Sequence, residues 1–178
     1  LYFKCEQFQK IGAFKIRGAT YAIDCLDPMK RANGIVTHSS GNHAQAIALA
    51  ARTAGIKAHV VMPTNSPTVK KNAVIGYGAT VYDCEPTLAA RERAANALVN
   101  ALDATLIPPY NHKHVITGQG TVGLELFEQV EGLDAVLVPI GGGGLCAGTA
   151  IALRSLSPSI RIYGVEPIGA DDALRSWE

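Results

Sequence analysis

Three stretches of this chain bring together residue types that can do chemistry at one site. Pro139-Ile140-Gly141-Gly142-Gly143-Gly144-Leu145 follows an apolar run and opens an alanine-rich one. Four consecutive glycines let the backbone approach an anion, and the helix that follows presents the positive end of its dipole there. The stretch is neither GxGxxG nor a lysine-containing P-loop. Gly141, Gly142, Gly143 and Gly144 therefore suit a monophosphate better than a dinucleotide or a nucleoside triphosphate. A flexible turn is the plain alternative, at an entropic cost that an ordinary turn would not need.

The second stretch is Gly12-Ala13-Phe14-Lys15-Ile16-Arg17-Gly18, with its lysine close to a helix start. An ammonium among apolar neighbours loses solvation, so its pKa falls and its amine becomes available for a Schiff base. Taken alone, such a lysine is more often a solvated surface charge. The third stretch is His38-Ser39-Ser40-Gly41-Asn42-His43, at a strand end that begins a helix. Its hydroxyls, amide and free helix N–H groups suit a carboxylate or a phenolic oxygen, although N-capping by Ser40 or Asn42 uses the same atoms. His43 reads either as a catalytic base or as a structural residue. A reactive amine and a separate phosphate cradle are the two things that pyridoxal phosphate requires of a protein.

The elements that position these stretches alternate. Strands are expected at Gly34–His38, Ala58–Met62, Ala79–Tyr82, Ala135–Pro139 and Arg161–Val165, mostly as continuous β-rich runs that imply burial on both faces of a parallel sheet. Helices are expected over Phe14–Leu26, Asn42–Ala54, Thr68–Tyr77, Thr87–Leu102, Gly120–Gln129 and Leu145–Leu156. The repeating order predicts an α/β fold with open, largely parallel sheets. Ile107–His114, with two prolines and polar residues, is the best boundary. Two lobes follow from it: a smaller one over 34–111, and a larger one combining 1–33 with 112–178.

Composition excludes much else. The 178 residues are 48% hydrophobic and 17% charged, with a formal net charge of +1, so disorder is ruled out. Nothing in the charge points to a nucleic-acid or membrane partner, and no apolar run is long enough to span a bilayer. No signal peptide is visible. Cys5, Cys25, Cys84 and Cys146 make no CxxC pair and read as reduced thiols of a cytoplasmic protein. His112 and His114 form an HxH without a second metal-type cluster, and read as a surface loop.

Together the motifs resemble the serine racemase and serine/threonine dehydratase branch of the fold-type II, tryptophan synthase β-like, pyridoxal-phosphate enzymes. The resemblance is carried by Phe3-Lys4-Cys5-Glu6, FKIRG around Lys15, SSGNHAQA from Ser39, GQGTVGLEL from Gly118, GGGGL from Gly141, Glu166-Pro167 and Ala170-Asp171-Asp172. Cysteine synthases, a sister branch, are less similar, because their lysine segment usually continues with an acidic residue where this chain has Ile16-Arg17-Gly18.

The resemblance implies two open α/β/α lobes, of which this chain would be a fragment. It implies that Lys15 carries pyridoxal 5'-phosphate and moves the Cα proton, and that Phe14 packs beside the pyridine ring. Asn42 would hydrogen-bond the phenolic oxygen, and Gly141 to Gly144 would bind the phosphate. Ser39, Ser40, Gly41, Asn42 and His43 would receive the substrate carboxylate. Ser40, where many threonine dehydratases carry alanine, would serve the face opposite Lys15. Glu166, the carbonyl of Ala170 and Asp172 would hold magnesium or calcium, though a solvated turn is the plainer reading of that stretch. The implied reaction is β-elimination of water from L-serine or L-threonine to a 2-oxo acid and ammonia, with serine racemisation, in a cytoplasmic homodimer. A catalytically incomplete phosphate-ligand module and a nucleotide-binding α/β domain are the competing readings.

Overall fold

The computed structural model describes residues 1–178. In chain order they form α1 (Lys15–Asp24), α2 (Pro28–Arg31), β1 (Ile35–His38), α3 (Asn42–Ala54), β2 (Ala58–Pro63), α4 (Thr68–Gly76), β3 (Thr80–Cys84) and α5 (Leu88–Leu102). There follow β4 (Thr105–Leu106), α6 (Lys113–Gln129), β5 (Ala135–Pro139), α7 (Gly144–Leu156), β6 (Arg161–Val165) and α8 (Asp172–Trp177). A single 3-10 turn, Glu6–Phe8, precedes them.

Two parallel sheets result. The first has the order β3-β2-β1-β4, with Ile35 opposite both Ala58 and Thr105. Its central strands are mostly apolar, and Ile35, Val36, Val60, Val61 and Met62 are fully buried. One face packs on α1 and α3 through Ile23, Ile47 and Ala51. The other packs on α5 through Ala95. That makes three layers, α/β/α. The alanine-rich α3 ends where Gly55 adopts a left-handed conformation (φ 68°) and returns its N–H to the carbonyls of Ala51 and Arg52.

The second sheet pairs β5 with β6, Ala135 opposite Arg161. Burial on both faces, which its sequence implied, holds for β1 and β2 but not here. Val136 and Val138 pack against Leu153 and Ile160. Leu137, pointing the other way, is 65% exposed. In these residues α7 covers one side of the pair and leaves the other open.

Helices α1, α6 and α7 lie side by side between the two sheets. Their closeness depends on glycine. A Cβ on Gly118 of α6 would stand 2.7 Å from the Arg17 carbonyl and the Gly18 Cα of α1. One on Gly120 would stand 2.9 Å from the Gly148 carbonyl of α7. These glycines hide seven residues of α6 from sequence reading, which started the helix at Gly120 rather than Lys113. Glycine lowers helix propensity by about 1 kcal/mol, and here close packing overrides it.

Arg17 fastens the same region. Its guanidinium donates to Glu6 at 2.7 and 2.8 Å and to Glu125 at 2.7 Å twice, while Thr121 accepts a further bond at 3.0 Å. Lys4 adds a second cation to Glu125 at 2.6 Å. Bonds from Arg17 and Lys4 hold the Glu125 carboxyl at about 2, well below its ordinary value. A lowered carboxylate pKa contributes stability that is complete above the unfolded value, near 4.5, and is lost as pH falls toward 2. Thermal melts are therefore expected to fall more steeply between those pH values in the wild type than in Glu125→Gln. Equal slopes would mean that the cluster adds nothing to acid stability.

Candidate active site

Both loops singled out by sequence lie at the carboxyl ends of parallel strands, the usual location of ligand sites in open α/β sheets. β1 ends at His38, residues 39–41 form the turn, and α3 begins at Asn42. β5 ends at Pro139, and Ile140 to Gly143 lead into α7. Gly143 is left-handed (φ 79°), a conformation that glycine adopts without strain. Neither Gly141 nor Gly143 would bring a Cβ within 4 Å of another group, so open space lies in front of the turn at the helix N-terminus. That is what a phosphate cradle needs.

Lys15 is the first residue of α1, with Phe14 as its N-cap. Burial lowers the amine's pKa from its ordinary value. Its Nζ lies 5.3 Å from the centre of the Phe14 ring and donates to the Pro109 carbonyl at 2.6 Å. An amine so placed has the desolvation that Schiff-base chemistry requires.

In the turn after β1, the Ser39 hydroxyl accepts the Gly41 N–H at 3.2 Å, so Ser39 shapes the loop itself. Asn42 is exposed and Ser40 half-buried. His43, a candidate base or carboxylate contact, is 2% exposed. Its Nε2 donates to the Ile107 carbonyl at 3.1 Å, and burial pushes its pKa down to about 3. The imidazole is thus neutral and inside the core rather than on the loop surface.

Sequence reading missed three groups here. Tyr110 lies so close to Gly142 that a Cβ there would overlap its ring, and a Cβ on Gly144 would stand 3.6 Å from the Tyr110 Cβ. Pro109 supplies the acceptor for Lys15. Lys70, at the start of α4, brings its Nζ to 3.8 Å from the point where a Gly41 side chain would begin. The proline pair was the only signal for the first two, and it read as a boundary. A lysine in a KK pair gave no signal at all.

The acidic stretch lies apart. Glu166 follows β6, and its carboxylate accepts the N–H groups of Ala173 and Leu174 at 3.0 Å each, capping α8. Asp172 is the first residue of α8. No group of three or more His, Cys, Asp or Glu side chains is placed to hold a metal ion. The rings of His112 and His114 meet edge to face at 5.7 Å.

Comparison with known proteins agrees with this geometry. The family described as pyridoxal-phosphate dependent enzyme matches residues 1–178. Serine racemase from Dictyostelium discoideum is 52% identical over 176 residues, which are 99% of this chain and 54% of that protein. The structure of maize serine racemase superposes with a TM-score of 0.96 at 50% identity, covering 98% of this chain and 53% of that one. Threonine deaminase isoform 2 from Solanum lycopersicum, in its processed form, superposes with a TM-score of 0.89 at 39% identity, covering 94% and 49%. The chain spans about half the length of the curated relatives it matches.

Proposed function

The chain belongs to the pyridoxal-phosphate-dependent enzymes, and we propose that the whole protein deaminates L-serine and L-threonine to 2-oxo acids and ammonia and also racemises serine. One observation carries the reading: a desolvated lysine amine and a glycine-built helix N-terminus, both in contact with the same short segment, Pro109-Tyr110. The kinship with a serine racemase and a threonine deaminase supports both halves of it.

Pyridoxal phosphate, when bound, supplies an aldehyde for the Lys15 amine and a sink for charge that develops on the substrate Cα. The backbone N–H groups of Gly141 to Gly144 would hold its phosphate, Phe14 would flank its ring, and Asn42 would hydrogen-bond its phenolic oxygen. Residues 39–43 would take the substrate carboxylate, with the N–H groups of α3 as donors. Lys15 would remove the Cα proton from one face. Ser40 would return one to the other face, with the Lys70 ammonium near Gly41 favouring its ionised form. Loss of the β-hydroxyl as water, followed by hydrolysis of the enamine, balances to one 2-oxo acid and one ammonia.

Racemisation needs the second proton donor and elimination does not. Ser40→Ala is expected to suppress L-to-D interconversion and D-serine turnover while leaving L-serine deamination measurable. Chiral chromatography beside a 2-oxo-acid assay reads both, and an equal loss of both would make Ser40 structural only.

The reading extends to a divalent cation held by Glu166, the Ala170 carbonyl and Asp172. The donors are hard oxygens, and Glu166 keeps lone pairs beyond the two N–H bonds it accepts. Magnesium or calcium is then expected to raise the melting temperature of the wild type and not of Asp172→Ala. Equal shifts in both would remove the site. The reading also includes a homodimer in the cytoplasm, the latter supported by four unpaired cysteines. No helix is long and apolar enough to cross a membrane.

A further inference from the structure

We propose that Ile107–Tyr110 is a strut that holds the Lys15 amine in place, and that His43, acting with Thr37 on the Ile107 carbonyl, is the positioning residue that sets the strut. The proposal rests on Lys15 being the cofactor lysine and deepens that reading.

The Ile107 carbonyl receives two side-chain donors, Thr37 Oγ1 at 2.7 Å and His43 Nε2 at 3.1 Å. Thr37, His43 and Ile107 are all fully buried. A carbonyl only accepts, so the His43 proton sits on Nε2, which leaves Nδ1 bare, buried and without a partner. An apolar side chain would fill the same core volume without that unsatisfied nitrogen. What the histidine adds is the bond to Ile107. Its two donors come from β1 and from the first turn of α3, on either side of residues 39–41.

From Ile107 the chain passes through Pro108 and Pro109, whose rings fix φ at two successive residues. A position set at Ile107 is therefore carried forward with little slack. The Pro109 carbonyl receives Lys15 Nζ at 2.6 Å. One residue on, the Tyr110 ring lies against Gly142 of the phosphate turn. Four consecutive residues thus touch the base of the substrate loop, the reactive amine and the phosphate cradle. Misplacing a reacting group by an ångström can cost about a hundredfold in rate, so a stiff link of this kind matters to the chemistry. Besides Lys15 and the strut's own Tyr110, the titratable groups around it include His38, His43 and His112, each of these histidines with its pKa lowered first by burial. None of them is a carboxylate that could compete with Pro109 for the amine.

The test reads the free amine and needs no cofactor. Trace labelling with acetic anhydride across a pH series, followed by peptide mass analysis, gives the titration midpoint of Lys15 against Lys57 and Lys113 as internal references. In His43→Leu the strut loses a donor and water reaches the amine, so the Lys15 midpoint is expected to rise by about one pH unit toward an ordinary lysine. Thr37→Val is expected to move it in the same direction. His43→Gln and Thr37→Ser, which keep a donor, are expected to restore it, an outcome that general loosening of the core would not produce. Should His43→Leu fail to fold, the Thr37→Val and Thr37→Ser pair decides. Unchanged midpoints in the leucine and valine variants, or a shift that the glutamine and serine variants do not reverse, would overturn the strut. Failure of the wild type to form a borohydride-stable adduct with pyridoxal phosphate would instead overturn the cofactor reading, and the labelling comparison would stand.

Discussion

Lys15→Ala will remain folded and lose covalent attachment of pyridoxal phosphate altogether. The side chain starts α1 without capping it, and its one hydrogen bond goes to the Pro109 carbonyl at 2.6 Å. Alanine is at least as good a helix former, so stability is expected to change by less than about 1 kcal/mol. The chemistry rests on this amine, because burial lowers the pKa of Lys15 and its Nζ is held by Pro109, next to the tyrosine that borders the glycine turn. Circular dichroism and intact mass after borohydride treatment check the two halves of this expectation. An adduct persisting in the variant would place the reactive amine elsewhere.

The second large effect separates two kinds of glycine. Gly148 of α7 faces α6, and a Cβ there would overlap the Ile116 carbonyl and stand 2.7 Å from the Gly120 nitrogen. Both neighbours are backbone, so neither can move aside without parting the helices. Gly148→Ala is expected to cost about 3 kcal/mol, the upper range for overpacking. Gly141 has nothing within 4 Å of the same position. Gly141→Ala should stay within about 0.5 kcal/mol of wild type, as surface changes do, while its methyl fills the space left for a phosphate. Denaturant midpoints at constant slope give the stability order, and a pyridoxal phosphate titration gives the binding. If Gly148→Ala is as stable as Gly141→Ala, the contact between α6 and α7 is looser than described.

Where pattern and packing agree, the sequence was a good guide. Asn42–Ala54, Ala135–Pro139 and Arg161–Val165 run between the expected residues, because each is an apolar stretch closed by clear turn chemistry. The two-residue β4 was not expected, since Thr105-Leu106 has no periodicity to show and exists only by pairing with β1. Neither was α8, a six-residue helix whose N-terminal amides are held by Glu166 from outside it. In the site, Lys15 and the glycines announced themselves by local composition. The residues that join them did not. Ile107-Pro108-Pro109-Tyr110 looked like a boundary because prolines end periodic patterns, whereas its work is done by carbonyl oxygens and one ring whose partners lie far away in sequence. His43 shows the same limit, for its type suggests a base and only its burial reveals an internal donor.

The central claim is that Lys15, beside the Pro109 carbonyl and near the Gly141–Gly144 turn, is the residue that takes the cofactor. Its most direct test is to incubate the wild-type protein with pyridoxal phosphate, reduce with borohydride, digest, and map the modified peptide by mass. The predicted result is one modified lysine, in the peptide containing Phe14-Lys15-Ile16, with a yield that inorganic phosphate lowers by competing for the glycine turn. Modification spread over exposed lysines such as Lys57 and Lys113, with no preference for Lys15 and no effect of phosphate, would contradict the account.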